Sequence, residues 1–132
     1  MEVDAVRGLR ALHEDRRVLG VSPLVHDERL VRAARGHSAE RTRLGFFSHR
    51  SPTKGGETKE QRAALEGYRA PIVECITAAG GGSAAVEFWK HDGGHHRDMV
   101  NPRLVEAGFR TRGPAACVAG TGEARALPVL ES

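Results

Sequence analysis

LVEAGFRTRGPAACVAG, from Leu104 to Gly120, is where the chain changes character. Ahead of it apolar residues recur mostly at helical spacing. Here they come in short runs bordered by Gly and Pro, which is the pattern of strands. LVEAGF and AACVAG read as two strands, and ALPVL, from Ala126 to Leu130, reads as a third. Helices first and strands mainly last predict an α+β domain with an antiparallel sheet.

Upstream, Val3, Val6, Leu9 and Leu12 mark a helix, with Arg7, Arg10, Arg16 and Arg17 mostly off that stripe. The helix is expected to stop near Gly20, ahead of Pro23. Asp27 is a suitable N-cap for a second helix in which Leu30, Ala33, Ala34, His37 and Leu44 share a face, and Gly45 ends it. Residues 48–58 read as loop, with Pro52 and the Gly55-Gly56 pair. Thr58 with Gln61 forms a capping box for a short helix through Ala63, Ala64 and Leu65, closed by Gly67. Val73 to Ile76 is a strand or a buried turn. The glycine run from Gly80 reads as loop, and Ser83 as the cap of a helix carrying Val86, Phe88 and Trp89, broken at Gly93-Gly94. No repeat is present.

At 132 residues, 39% hydrophobic and 28% charged, the chain fits one globular domain spanning 1–132, with too much apolar content for disorder. Its formal charge of +3 comes from Arg-rich segments in which the signs alternate. Those segments read as solvated helix faces rather than a track for phosphates, so no nucleic-acid partner is expected. No apolar run is long enough to cross a membrane, and the first residues do not form a signal peptide. Cys75 and Cys117 lie far apart, and spacing alone leaves open whether they pair.

Seven histidines carry the candidate chemistry. His13 and His26 read as surface residues, and His37, on an apolar helix face, as a hydrogen-bonded core histidine. His49 differs: in GFFSHRSP, Gly45 to Pro52, it leaves a helix end through two phenylalanines and enters a loop. In WKHDGGHHRDM, Trp89 to Met99, His95 and His96 are adjacent, so only one can face a site shared with His49. HExxH spacing is absent, and Gly93-Gly94 separates His91 from His95, so no metal site is built locally. Glu74 lies in the apolar run Ile72 to Ile76, where a buried charge needs a partner: backbone amides, an Arg, or a histidine such as His49 or His95. Asp92 follows Trp89 by three and either ends a helix or joins the same pocket. GxSxG and phosphate-binding glycine motifs are missing, and Cys75 is not in a CxxC pair.

In this order the motifs resemble the CAP superfamily, the SCP-like domain of cysteine-rich secretory proteins, antigen 5 and plant pathogenesis-related proteins, in its short bacterial form. The likeness is carried by RRVLGVSPLVHDERLVRAARGHSAE, GFFSH, QRAALEGY and WKHDGGHHRDMVNPRLVEAGF. It implies an α-β-α sandwich with a central antiparallel sheet flanked by helices, and a cleft lined by two His and two acids. These fall on His49, Glu74, Asp92 and His95. Where the family has Gly-Glu-Asn, this chain reads Val73-Glu74-Cys75, and at the second acid it has the shorter Asp92.

By that resemblance the protein is an exported module of the cell exterior or envelope, binding a small hydrophobic molecule or a protein partner. The cleft is able to hold a divalent cation. Two imidazoles, His49 and His95, favour zinc or a similar metal, with Glu74 and Asp92 as outer partners. The alternative is a metal-dependent or His/Glu hydrolase, peptidase-like, at the cell surface, with the same four residues as acid and base.

Overall fold

Alternation along the strands decides how the layers form. The computed structural model describes residues 3–77, 82–111 and 114–122, without the side chains of 82 and 83. Four strands, β1 (Val25–His26), β2 (Ile72–Ile76), β3 (Glu106–Arg110) and β4 (Ala116–Gly120), form one sheet in the order β1-β3-β4-β2. Cys75, Ala107, Phe109, Cys117 and Ala119 point to one face, and Ile72, Ile76, Ala116 and Val118 to the other, as the two-residue period of a strand requires. Both faces are apolar, so both are covered. Helices α1 (Val3–Val18), α4 (Gly82–Lys90) and α5 (Gly93–Met99) lie on the first face, and α2 (Glu28–Leu44) and α3 (Lys59–Leu65) on the second. The result is the expected α+β, α-β-α sandwich.

The sheet is mixed rather than wholly antiparallel. β2–β4 and β3–β4 are antiparallel, but β1 runs parallel to β3, pairing Val25 with Glu106 and His26 with Ala107. A two-residue strand carries too little alternation to be visible in sequence. The strand expected at ALPVL lies outside the described residues.

Capping signals place the helix ends. Asp27 accepts from the amides of Arg29 and Leu30 at the start of α2, and Gly45 closes that helix in the left-handed conformation at φ 69°. The Thr58–Gln61 box is present at α3. α4 begins at Gly82, so Ser83 lies within it rather than ahead of it. Gly93-Gly94 does break the helical run, and it opens the short helix α5, with Asp92 as N-cap.

Several buried faces differ from the expected stripes. In α1 the buried residues are Ala5, Gly8, Leu12 and Arg16, while Val3 is 69% exposed. Arg16 is fully buried because its guanidinium donates to the carbonyls of Ser22, Met99, Asn101 and Leu104. In α2 Leu44 is exposed and Arg41 is buried, donating to Thr77, Pro114 and Ala115 carbonyls. His13 is half-buried, its Nε2 within hydrogen-bond distance of Leu24 backbone atoms, whereas His26 pairs with Glu28 near the surface. Gly108 lies directly beneath α2, and a methyl group there would run into the backbone of Leu30 and Val31.

Candidate functional site

Among the described residues β2 is an edge strand, and its alternation sends Glu74 to the α2–α3 face while Cys75 enters the opposite core. On that face Glu74 meets two partners. Arg62, from α3, places Nη2 3.1 Å from both carboxylate oxygens. His49, in the loop after α2, places Nδ1 2.9 Å from Oε1. The carboxylate side chain is 1% exposed. Burial pushes its carboxyl up, but His49, Arg62 and His37 together outweigh that and hold it below the usual carboxylate range. Glu74 is therefore an ionised organiser, with both oxygens already engaged.

His49 is held from two directions. Arg62 Nη2 donates to its carbonyl at 2.7 Å, and Arg62 Nη1 donates to the carbonyls of Gly56 and Glu57. The same guanidinium thus ties the 49–57 loop to the carboxylate that receives the imidazole. Glu40 secures the loop further along, accepting from Ser51 and Thr53 hydroxyls. With Nδ1–H directed at an ionised carboxylate, the neutral ring presents its Nε2 lone pair. The side chain is 51% exposed, so that nitrogen is offered outward rather than consumed in packing.

His37 lies deeper on the same face. It is wholly buried, with Nε2 2.8 Å from the Ser48 carbonyl and 3.7 Å from Glu74 Oε1. Burial pushes its pKa down; Arg62 and Arg41 add to that, and Glu74 and the Ser48 carbonyl oppose it. It is a core histidine.

A second imidazole–carboxylate pair is built at the start of α5. Asp92 Oδ1 accepts from the His95 amide at 3.2 Å and lies 3.2 Å from His95 Nδ1, without the alignment of a hydrogen bond. The His95 ring leans on Trp89 and Phe88, with centroids 6.4 Å away in each case. Its neighbour His96 turns to α1, with Nε2 3.2 Å from Asp15. The adjacent pair is thus divided: one ring packs on the aromatics of α4, and the other ties two helices.

The structure brings His49 to Glu74 and His95 to Asp92. No hydrogen bond or ion pair links the two pairs, and among the described residues no three His, Cys, Asp or Glu side chains gather to hold a metal ion. Sequence reasoning missed Arg62 as the residue that neutralises Glu74. The sequence signal was the expectation that a carboxylate in an apolar run needs a partner, with an Arg among the choices but no particular arginine singled out.

Two exposed phenylalanines flank the pairs. Phe47, two residues before His49, is 59% exposed with the Arg41 guanidinium 5.7 Å above its ring, and Phe88 beside His95 is equally exposed.

An α-β-α sandwich with imidazole–carboxylate pairs on the loop after the second helix and on the last helix defines a class. The profile of the cysteine-rich secretory protein family, CAP, matches residues 4–111, and the chain belongs to that family. It is similar to the uncharacterized protein YkwD of Bacillus subtilis, 26% identical over 94 residues that cover 71% of this chain and 37% of YkwD. The chain therefore spans little more than a third of that relative's length.

Among solved structures, it superposes on an extracellular protein containing a SCP domain from Bacillus anthracis. That match has a TM-score of 0.82 and 21% identity, over 90% of this chain and 40% of that one. An outer surface protein of Borrelia burgdorferi matches with a TM-score of 0.78 and 17% identity, over 91% and 93% of the two chains. At these identities the structures establish the fold. No helix among the described residues is long and apolar enough to cross a membrane.

Proposed function

We propose that this domain is an exported binding module whose His49 and His95 serve one cleft that takes a small hydrophobic molecule or an apolar segment of a partner protein. The observation that carries this reading is the shared design of the two imidazole sites. Each ring has Nδ1 near a carboxylate, and an exposed phenylalanine goes with each: Phe47 lies two residues before His49 in the chain, and the Phe88 ring packs beside that of His95. A polar nitrogen set beside open apolar surface is the composition of a ligand site with a few fixed polar groups. Export is supported by two structural relatives, one an extracellular protein and one an outer surface protein.

The donor chemistry also suits a borderline divalent cation such as zinc, for which imidazole nitrogen with a carboxylate behind it is a common ligand. A cation here would rely on His49 and His95, with Glu74 and Asp92 orienting them. A hydrolase reading rests on one feature, the His49 ring oriented by buried Glu74, which is how a general base is held. Against it, the described residues place no Ser, Thr or Cys side chain in a hydrogen bond with His49.

The test is titration of the protein with a fluorescent fatty acid, in wild type and in a Phe47→Ser, Phe88→Ser double variant. Saturable binding weakened at least tenfold in the variant is expected. Wild type that binds no probe but turns over ester or peptide substrates, with activity lost in His49→Ala, would replace the binding reading with the hydrolase.

A further inference from the structure

The chain has two cysteines, and the sheet puts them opposite each other: Cys75 in β2 is the register partner of Cys117 in β4. Both are buried free thiols in the structure. Register partners point to the same face of a sheet, and both residues belong to the core under α1 and α4, beside Trp89 and Phe109. The flanking bonds identify the type of pairing. Thr77 N donates to Ala115 O at 3.0 Å, and Thr121 N donates to Pro71 O at 3.0 Å. Stepping by two residues along the ladder makes Cys75 and Cys117 a hydrogen-bonded pair, for which the Cα atoms lie about 5.5 Å apart. That falls inside the range of about 4.4–6.8 Å that a disulfide spans.

We propose that Cys75 and Cys117 form a cross-strand disulfide, closed while the chain folds in an oxidising compartment. It is the one pairing open to the two cysteines of this sequence within a single chain, and it would join β2, which carries Glu74, to the interior strand β4. The oxidant is a small-molecule disulfide such as oxidised glutathione. One cysteine thiolate attacks it, forming a mixed disulfide and releasing one glutathione thiolate. The second cysteine thiolate then attacks the protein-side sulfur and releases the other. Two protein thiols are oxidised, one glutathione disulfide is reduced to two thiols, and the two protons pass to those thiols.

Burial sets the order of events. It pushes both thiols up, Cys117 to about 12, so the thiolate that exchange requires is scarce once the core has closed. The bond forms before α1 and α4 seal that face. Oxidant added to folded, reduced protein therefore acts only at the rate at which the sheet opens.

The experiment refolds denatured, reduced protein in a buffer of oxidised and reduced glutathione, then maps peptides by mass spectrometry without reduction. The expected product is the Cys75 peptide joined to the Cys117 peptide, two hydrogens lighter than the separate thiols. Its thermal midpoint should lie on the order of 10 °C above that of the reduced protein. A Cys75→Ala, Cys117→Ala variant should refold without that rise. Natively folded wild type with both thiols free after the same refolding would overturn the proposal, and so would a linked form no more stable than the reduced one.

Discussion

Glu74 and His37 share one buried face, and each makes stability depend on pH in its own window. His37 has its pKa lowered by burial, so below its ordinary value of 6.5 the unfolded chain binds a proton that the folded one resists. Stability should hold above about pH 6.5 and decline as the pH falls below it. Glu74 is held below its ordinary value of 4.5, so its contribution is present above that value and is lost as the pH falls through its folded pKa. Urea unfolding across pH 4 to 8 should show the first decline in wild type and a flatter profile in His37→Gln. An unchanged profile in that variant would remove His37 as its source. Replacing Glu74 by Gln leaves the Arg62 guanidinium buried with only carbonyl partners. Breaking one side of a buried pair costs about 3–5 kcal/mol. The remaining carbonyl bonds bring the expectation for Glu74→Gln to about 2–4 kcal/mol, measurable by denaturant titration at pH 7.

At the scale of elements, two glycines, one on the exposed side of α2 and one beneath that helix, have opposite roles. Gly36 lies inside α2 with open space where a Cβ would be, and Gly108 lies in β3 against the α2 backbone. Gly36→Ala should raise stability by about 0.5–1 kcal/mol, since alanine loses less backbone freedom on entering a helix. Gly108→Ala should force α2 off the sheet and give protein that is poorly folded or several kcal/mol less stable, on the order of other overpacked core sites. Thermal melts of the two variants separate these outcomes, and a tolerated Gly108→Ala would mean that α2 does not rest on β3 as described.

The elements also show what a sequence can and cannot disclose. Asp27, Gly45 and the Thr58–Gln61 box were readable because a cap acts within three or four residues of itself. Arg16 and Arg41 were not readable as buried, because most of their partners come from afar. Nor was Arg62, because its partners, 5 to 13 residues away, lie in a loop and a strand that only the fold brings to it. Arg16 reaches carbonyls 83 to 88 residues along the chain, and Arg41 reaches others 36 to 74 residues away. Arg16 and Arg41, expected on solvated helix faces, instead join loops to the core, and of the expected α1 stripe Leu12 is buried and Leu9 packs against the core while Val3 is exposed. Strand β1 escaped notice because two residues have no period.

For the whole molecule, the α+β class was legible because helical periods come first and short strand runs mainly last, while the α-β-α layering came through the family resemblance. The four candidate residues were picked out through the family resemblance, with the residues alone supplying the reasons to weigh them: an imidazole at a helix exit, and a carboxylate in an apolar run. The His49–Glu74 pairing was not fixed by the sequence, since it brings a loop to a strand residue 25 positions on, whereas His95–Asp92 is a contact within three residues at the start of α5.

The central claim is that these two pairs serve one cleft. Isothermal titration of metal-stripped protein with Zn²⁺, beside a His49→Ala, His95→Ala double variant, tests it most directly. The account predicts one zinc bound per chain in wild type and none in the double variant, with either single variant alone enough to weaken binding. Zinc binding by wild type that persists when both imidazoles are gone, or that is left unchanged by the loss of either one alone, would contradict it.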